Sequence, residues 1–289
     1  MKINKLTGFK AAVVITIDDV HPEKGCGKEF DTGPLKLLKD LEKEFGVKSL
    51  LFTTANWMYK PQIFYQIHRF QKYASKVIPL NIRKWEEGTF RLDKFKSWAE
   101  SIGKKFEVGI HGLYHLQNSY PFGAEFMNLD SDKILQRIIE IEKIFKISVP
   151  NYTNIFRPPG WQVNDDFIEA VRKKYFLAAS VDTTGLSGKA NAAGILNVPQ
   201  FYPHYYKDVL NITANCDIKT CTTKRIDEIV RSNGLVVLHG HITNNYHGEK
   251  LHNGVEASYE NLKNLLIHLK NRYGEQIWYT TFSELHKKL

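Results

Sequence analysis

The side chains able to do chemistry stand at the ends of apolar runs. Asp18 and Asp19 close the run Ala11-Ala12-Val13-Val14-Ile15-Thr16-Ile17, and His111 and His115 close the next clear case, Gly109-Ile110-His111-Gly112-Leu113-Tyr114-His115. Arg157 leads Arg157-Pro158-Pro159-Gly160-Trp161, Asp182 closes Ala178-Ala179-Ser180-Val181, and His239 closes Leu235-Val236-Val237-Leu238 with His241 two residues beyond. Each alone has an ordinary reading as a turn, a helix cap or a hydrogen-bonded core histidine. Their recurrence at the same place in successive runs points to one site. Two imidazoles and one carboxylate make a three-ligand set that leaves a position open on Zn²⁺ or a similar divalent ion. Such an ion acidifies water and polarises a carbonyl oxygen. A second carboxylate beside the ligand then has a task of its own, taking a proton from that water.

The elements that must position these groups follow from the pattern around them. Apolar runs of strand length alternate with helical patterns, which predicts parallel strands linked by helices. The strands are expected at Ala11 to Ile17, Val47 to Thr53, Glu107 to Ile110, Phe176 to Val181, Ile195 to Val198, Leu235 to Leu238 and Ile277 to Thr281. That number suits a barrel, whose C-terminal strand ends point into a common site. Val255, Tyr259, Leu262, Leu266 and Leu269 form one apolar stripe of a helix, and Ile134, Ile138, Ile141 and Phe145 form another over Ser131 to Lys146, with Asp130 or Ser131 as N-cap. Residues 55–104, rich in aromatics such as Trp57, Tyr59, Trp85 and Trp98, read as helices and loops inserted between the second and third strands. No repeat, low-complexity tract or linker divides the chain, so residues 1–289 are expected to form one domain.

With these residues in hand, the sequence resembles the polysaccharide deacetylase, or NodB-homology, family of metal-dependent carbohydrate esterases. Thr16-Ile17-Asp18-Asp19 is similar to its first motif and His111-Gly112-Leu113-Tyr114-His115 to its second. Phe156-Arg157-Pro158-Pro159-Gly160 is similar to the third and Val236-Val237-Leu238-His239 to the fifth, while Asp182 alone matches the fourth. Trp278 to Leu285 also resembles the end of such domains. The resemblance implies an α/β fold, a single-domain distorted (β/α)₇ barrel, and hydrolysis of an N-acyl, above all N-acetyl, group on an amino sugar or glycan. It implies Asp18 as general base, and Asp19, His111 and His115 as ligands of a divalent ion, Zn²⁺ first, with Co²⁺ or Ni²⁺ as alternatives. Arg157 would orient Asp18, and His239 would be the general acid, with Asp182 as its candidate partner. The departures are Gly112 for a bracing Ser or Thr, Gly160 for an aromatic residue that lends a backbone N–H to the oxyanion, and Gly185 for a second acid. Trp161 would then supply the aromatic wall. Glu125, His241, Gly160 and Trp161 are candidates to line the sugar pocket, and His21, His204 and His247 read as surface or substrate-side histidines.

Composition bounds the partners. With 43% hydrophobic and 12% aromatic residues, 289 residues can bury a large core. The net charge of +9 is spread over 40 Lys and Arg among acidic neighbours, with no basic tail, so a nucleic-acid partner is not expected. A basic surface suits an anionic substrate, such as a phosphate-bearing sugar donor. Cys26, Cys216 and Cys221 form no C-x-x-C pair and read as free thiols of a reducing compartment. The N-terminal apolar run is too short and too soon charged for a signal peptide, and no membrane span is expected, which predicts a cytoplasmic protein. A glycoside hydrolase needs two carboxylates flanking one bond, which adjacent residues on a regular strand cannot do. A non-catalytic carbohydrate-binding module with a metal site is the remaining reading.

Overall fold

A computed structural model describes residues 2–57, 90–115, 125–126, 129–161, 163–172, 174–181, 201–243, 245–246, 249–250 and 253–288. The run Ala11–Val20 (β1) is rich in β-branched residues and every one of its ten positions is buried, which is why it shows no polar alternation. The remaining strands are β2 (Ser49–Thr53), β3 (Asn56–Trp57), β4 (Phe90–Arg91), β5 (Glu107–Ile110), β6 (Ile155–Phe156), β7 (Phe176–Val181), β8 (His204–Tyr206), β9 (Val209–Ala214), β10 (Cys216–Asp217), β11 (Leu235–His241), β12 (Asn245–Tyr246), β13 (Glu249–Lys250) and β14 (Ile277–Tyr279). A ten-stranded sheet runs β10-β11-β1-β2-β5-β6-β7-β9-β8, with β14 also on β1. Its pairings are parallel except for the β8–β9 hairpin. β14 takes the part of β1 from Ala11 to Val13, and β2 takes the part from Ile15 onward.

The α/β class is as expected, but the described strands form no closed sheet. The reason lies at Asn215, which interrupts the chain between β9 and β10. β9 pairs with β7 and β10 with β11, and between them the Asn215 side chain takes the place of strand pairing. Its Nδ2 donates to Leu235 O at 2.8 Å, and its Oδ1 accepts from Val237 N at 2.9 Å. The expected strand at Ile195 to Val198 lies outside the described residues, and β6, β8, β9 and β10 were not anticipated. The described flanks of the 55–104 region hold the antiparallel β3–β4 ribbon and a helix over Lys96–Lys105.

Side chains alternate between two apolar layers. One face of the sheet carries Ala12, Val14, Leu50, Phe52, Ile155, Leu235 and Val237, packed with Ile3, Phe282 and Leu285. The other face carries Val13, Ile15, Ile17, Val108, Ile110, Val236 and Leu238, covered by helices such as Ser131–Ser148 and Val255–Tyr273. Those two helices bury the stripes read from the sequence, and the Asp130 carboxylate caps the first by accepting from Lys133 N at 3.0 Å. Burying a single Val, Leu or Phe contributes about 1.5–3 kcal/mol. The two-residue period then carries the first face onward from Ala12 and Val14 to Thr16 and Asp18, and from Leu235 and Val237 to His239 and His241. Polar chemistry thus begins where the apolar columns stop.

Candidate metal and catalytic site

Adjacent carboxylates reach one site because β1 is not regular there. Ile17 pairs with Leu51 and Val20 with Thr53, so β1 spends one residue more than β2 across this interval, which is a β-bulge. Asp19 sits at φ 65°, in the left-handed region that Asp tolerates better than most residues. Such a backbone costs about 1–3 kcal/mol and persists only where its surroundings hold it. His21 does the holding: its Nδ1 lies 2.7 Å from Asp19 O, and its ring is fully buried and stacked on Trp57 at 4.0 Å. The expected surface or substrate-side histidine is therefore an internal brace, because the turn after β1 folds it back beneath the bulge.

Asp19 Oδ1 lies 3.2 Å from His111 Nε2 and 3.1 Å from His115 Nε2. All three residues belong to one cluster of metal-ligating groups. His111 Nδ1 is 2.8 Å from Arg157 O, a carbonyl that can only accept. Nδ1 therefore carries the hydrogen, and the neutral ring turns its Nε2 lone pair toward Asp19. This orientation, fixed by the second ring nitrogen, is the one a metal-binding imidazole needs. Burial raises the Asp19 carboxyl, yet His115 and His111 outweigh it and hold the group well below the usual carboxylate range. Burial lowers the His111 imidazole, but Asp18 and Asp19 reverse this and the net shift is upward. Asp19 Oδ1 is buried without a well-aligned hydrogen bond. An ionised oxygen facing two imidazole nitrogens fits a divalent cation.

The other aspartate belongs to a different set of contacts. Asp18 and Arg157 are both fully buried, with Asp18 Oδ1 2.5 Å from Arg157 Nη1. The guanidinium also donates to Thr16 Oγ1 at 3.2 Å and lies 4.1 Å from the Phe52 ring and 4.4 Å from the Trp161 ring. Burial raises the Asp18 carboxyl, Arg157 and then His111 pull it down, and the net shift is downward. Asp18 Oδ2 is buried without a hydrogen bond, 4.0 Å from His239 Nδ1. Arg157 Nη1 lies 3.4 Å from that Nδ1 and can only donate, so the hydrogen of neutral His239 is on Nε2. Burial drives the His239 imidazole down to about 3. The Trp161 indole meets His239 edge-on at 4.7 Å.

Two further groups change the sequence-based picture. Glu125, expected in the sugar pocket, is buried under the His111–His115 loop: its carboxylate accepts from Leu113 N at 3.1 Å, Tyr114 N at 3.2 Å and His115 N at 3.3 Å. Arg137 Nη1 neutralises it at 3.1 Å. It thus braces His115, whose φ is 55°. Gly112 is its complement. At φ 80°, a Cβ there would stand 2.4 Å from Glu125 Oε2, so the brace replaces the missing Ser or Thr and requires the glycine. His241 stands opposite Asp18 in register, with Nε2 3.9 Å from Asp19 Oδ2. Its Nδ1 is 2.7 Å from Asn253 Oδ1, and Asn253 Nδ2 donates to Asp217 Oδ2 at 2.6 Å. Sequence reasoning missed Asn253 and Asp217, whose separation of 36 positions in the chain leaves no local signal. Gly160 lies at φ 63° before Trp161, and His204 bonds Asn211 on the β8–β9 hairpin. Asp182, Gly185 and His247 lie outside the described residues.

This largely parallel α/β sheet has the fold of polysaccharide deacetylases of the NodB type. The chain is similar to a protein of Mycobacterium smegmatis assigned as a polysaccharide deacetylase, at 12% identity and a TM-score of 0.53, over 97% of this chain and 90% of the other. It is also similar to PuuE allantoinase, at 9% identity and a TM-score of 0.58, over 100% of this chain and 93% of the other. At such identities the likeness is one of fold. No family model matches the sequence, and no curated protein matches it.

Proposed function

We propose that this chain is a metal-dependent hydrolase that removes an N-acyl group, N-acetyl first, from an amino sugar or a glycan built from one. The observation that carries this reading is the division of labour in the bulge: Asp19 faces His111 and His115, while Asp18 faces Arg157 and His239. Asp19, His111 and His115 would hold Zn²⁺, or Co²⁺ or Ni²⁺ in its place. When bound, the ion supplies a Lewis-acid charge that acidifies water and polarises the acyl carbonyl. Arg157 keeps Asp18 ionised and occupies its Oδ1, leaving Oδ2 to take a proton from the water. That oxygen lies 4.0 Å from His239 Nδ1. His239, with its hydrogen on Nε2, would give that proton to the departing amine, while Asp18 holds the proton taken from water. Trp161 walls the acyl side, and Gly160 contributes backbone rather than an aromatic ring to the oxyanion region.

The whole chain is read as one domain of a distorted (β/α)₇ type, and the Asn215 side-chain hydrogen bonds to the Leu235–His241 strand support that reading. No described helix is long and apolar enough to cross a membrane. In a cytoplasmic setting the substrate would be a nucleotide-linked or lipid-linked amino sugar, whose phosphates suit the net charge of +9.

The test is metal content by elemental analysis beside acetate release on N-acetylated sugars, with allantoin included because of the shared fold. Asp19→Asn should lose metal and activity together. Asp18→Asn should keep its metal while turnover falls by roughly 10²-fold or more. Equal metal loss in both, or an active Asp18→Asn enzyme, refutes the assignment. Release of acetate from polymeric chitin but from no phosphate-bearing sugar refutes the substrate class alone.

A further inference from the structure

A further set of metal-ligating groups lies beyond the bulge, and the site described above uses it only through the His21 brace on Asp19. One ring nitrogen of His21, one carboxylate oxygen of Glu23 and the sulfur of Cys26 all lie within 4.8 Å of one another. We propose that the turn from His21 to Cys26 is a second divalent-metal site, taking Zn²⁺ or Co²⁺ through imidazole, carboxylate and thiolate.

The orientation of His21 is the first argument. Its Nδ1 lies 2.7 Å from Asp19 O, a carbonyl that can only accept, so Nδ1 carries a hydrogen. The other ring nitrogen, Nε2, therefore points away from Asp19, and Glu23 Oε2 stands 3.0 Å from it. The Cys26 sulfur lies in the same group, within 4.8 Å of the imidazole and carboxylate atoms. His111 shows the same construction at the first site, with Nδ1 on a backbone carbonyl and Nε2 3.2 Å from a carboxylate oxygen. At His21 a thiol completes the set. Nitrogen, oxygen and sulfur together are a zinc ligand set, and three protein ligands leave one position for water.

The second argument is that the turn holds its ligands in place. His21 N donates to Cys26 O at 3.1 Å, Cys26 N to Glu23 O at 3.0 Å, and Lys28 N to Glu23 O at 3.1 Å. The Trp98 indole donates to Gly27 O at 2.7 Å. His21 is fully buried and Cys26 nearly so, while the Glu23 side chain is 32% exposed. The ligands thus lose little freedom on binding an ion. An ion can also reach them: a cavity of about 530 Å³ is lined by His21, Glu23 and Cys26 together with Glu29 and Glu256, against one cation, Lys24. Carboxylates around that opening attract a cation into an otherwise basic protein. Binding replaces the S–H bond of Cys26 by a metal–sulfur bond and releases one proton to solvent.

Cobalt substitution tests this on the intact protein. The wild type should bind two Co²⁺ per chain and show thiolate-to-cobalt charge-transfer absorption. Cys26→Ser should bind one Co²⁺ and lose that absorption, although Cys216 and Cys221 remain. Glu23→Gln, at a position whose side chain is 32% exposed, should lower the second stoichiometry while the far-ultraviolet circular dichroism stays unchanged. Asp19→Asn should lose the other ion and keep the absorption, which separates this site from the first. A wild type without the absorption overturns the proposal, and so does absorption that survives Cys26→Ser.

Discussion

Replacing Arg157 with Met should cost most of the stability of the metal-free protein, and replacing Asp18 as well should return much of it. Both side chains are fully buried and in contact at 2.5 Å. Removing one partner of such a pair leaves a charge without compensation, at about 3–5 kcal/mol. Arg157→Met strands the Asp18 carboxylate, and Asp18→Asn strands the guanidinium against Phe52 and Trp161. Additive losses would total about 6–10 kcal/mol, comparable with the whole stability of a typical protein. If the pair is the source, the double variant should instead be no less stable than either single one. Denaturant unfolding in the presence of a chelator reads this directly. The sign with pH is also defined. Asp18 has its folded-state value lowered from 3.8, so its contribution is present above the unfolded value and is lost as pH falls through the folded one. The deficit of Arg157→Met should therefore shrink in acid. Single variants within 1 kcal/mol of wild type, or a double variant showing the full sum, would refute the buried-pair account.

Two other outcomes follow from the geometry. Gly112→Ala puts a Cβ 2.4 Å from Glu125 Oε2 at φ 80°, so it should destabilise the protein by about 1–3 kcal/mol from the backbone alone. Metal affinity should fall with it, and an unchanged metal titration would show that the brace does not position His115. His239, lowered from 6.5 to about 3 by burial, should stay neutral at pH 5 with its hydrogen on Nε2. Because the unfolded imidazole takes up a proton first, this group should make stability fall as pH drops below about 6.5. Nitrogen NMR of the ring checks both points, and titration of His239 near the ordinary value would contradict them.

Which groups could do chemistry was legible in the sequence, because each stands at the end of an apolar run and apolar runs report strands locally. Glu107–Ile110 and Phe176–Val181 have the bounds read from the pattern, and the helices over 131–148 and 255–273 follow from their stripes. Short strands such as β6 and β10 escaped because two residues carry no period. Where each polar side chain goes was decided only by tertiary structure. Asp18 and Asp19 share one site because pairing with β2 forces a bulge, not because of anything in their own dipeptide. Glu125 leaves the substrate pocket because Arg137 and three backbone N–H groups claim its carboxylate. Asn253 meets Asp217 across 36 positions and Arg157 meets Asp18 across 139. Periodicity is a property of neighbours along the chain, whereas hydrogen-bond partners and burial belong to residues that only the folded sheet brings together.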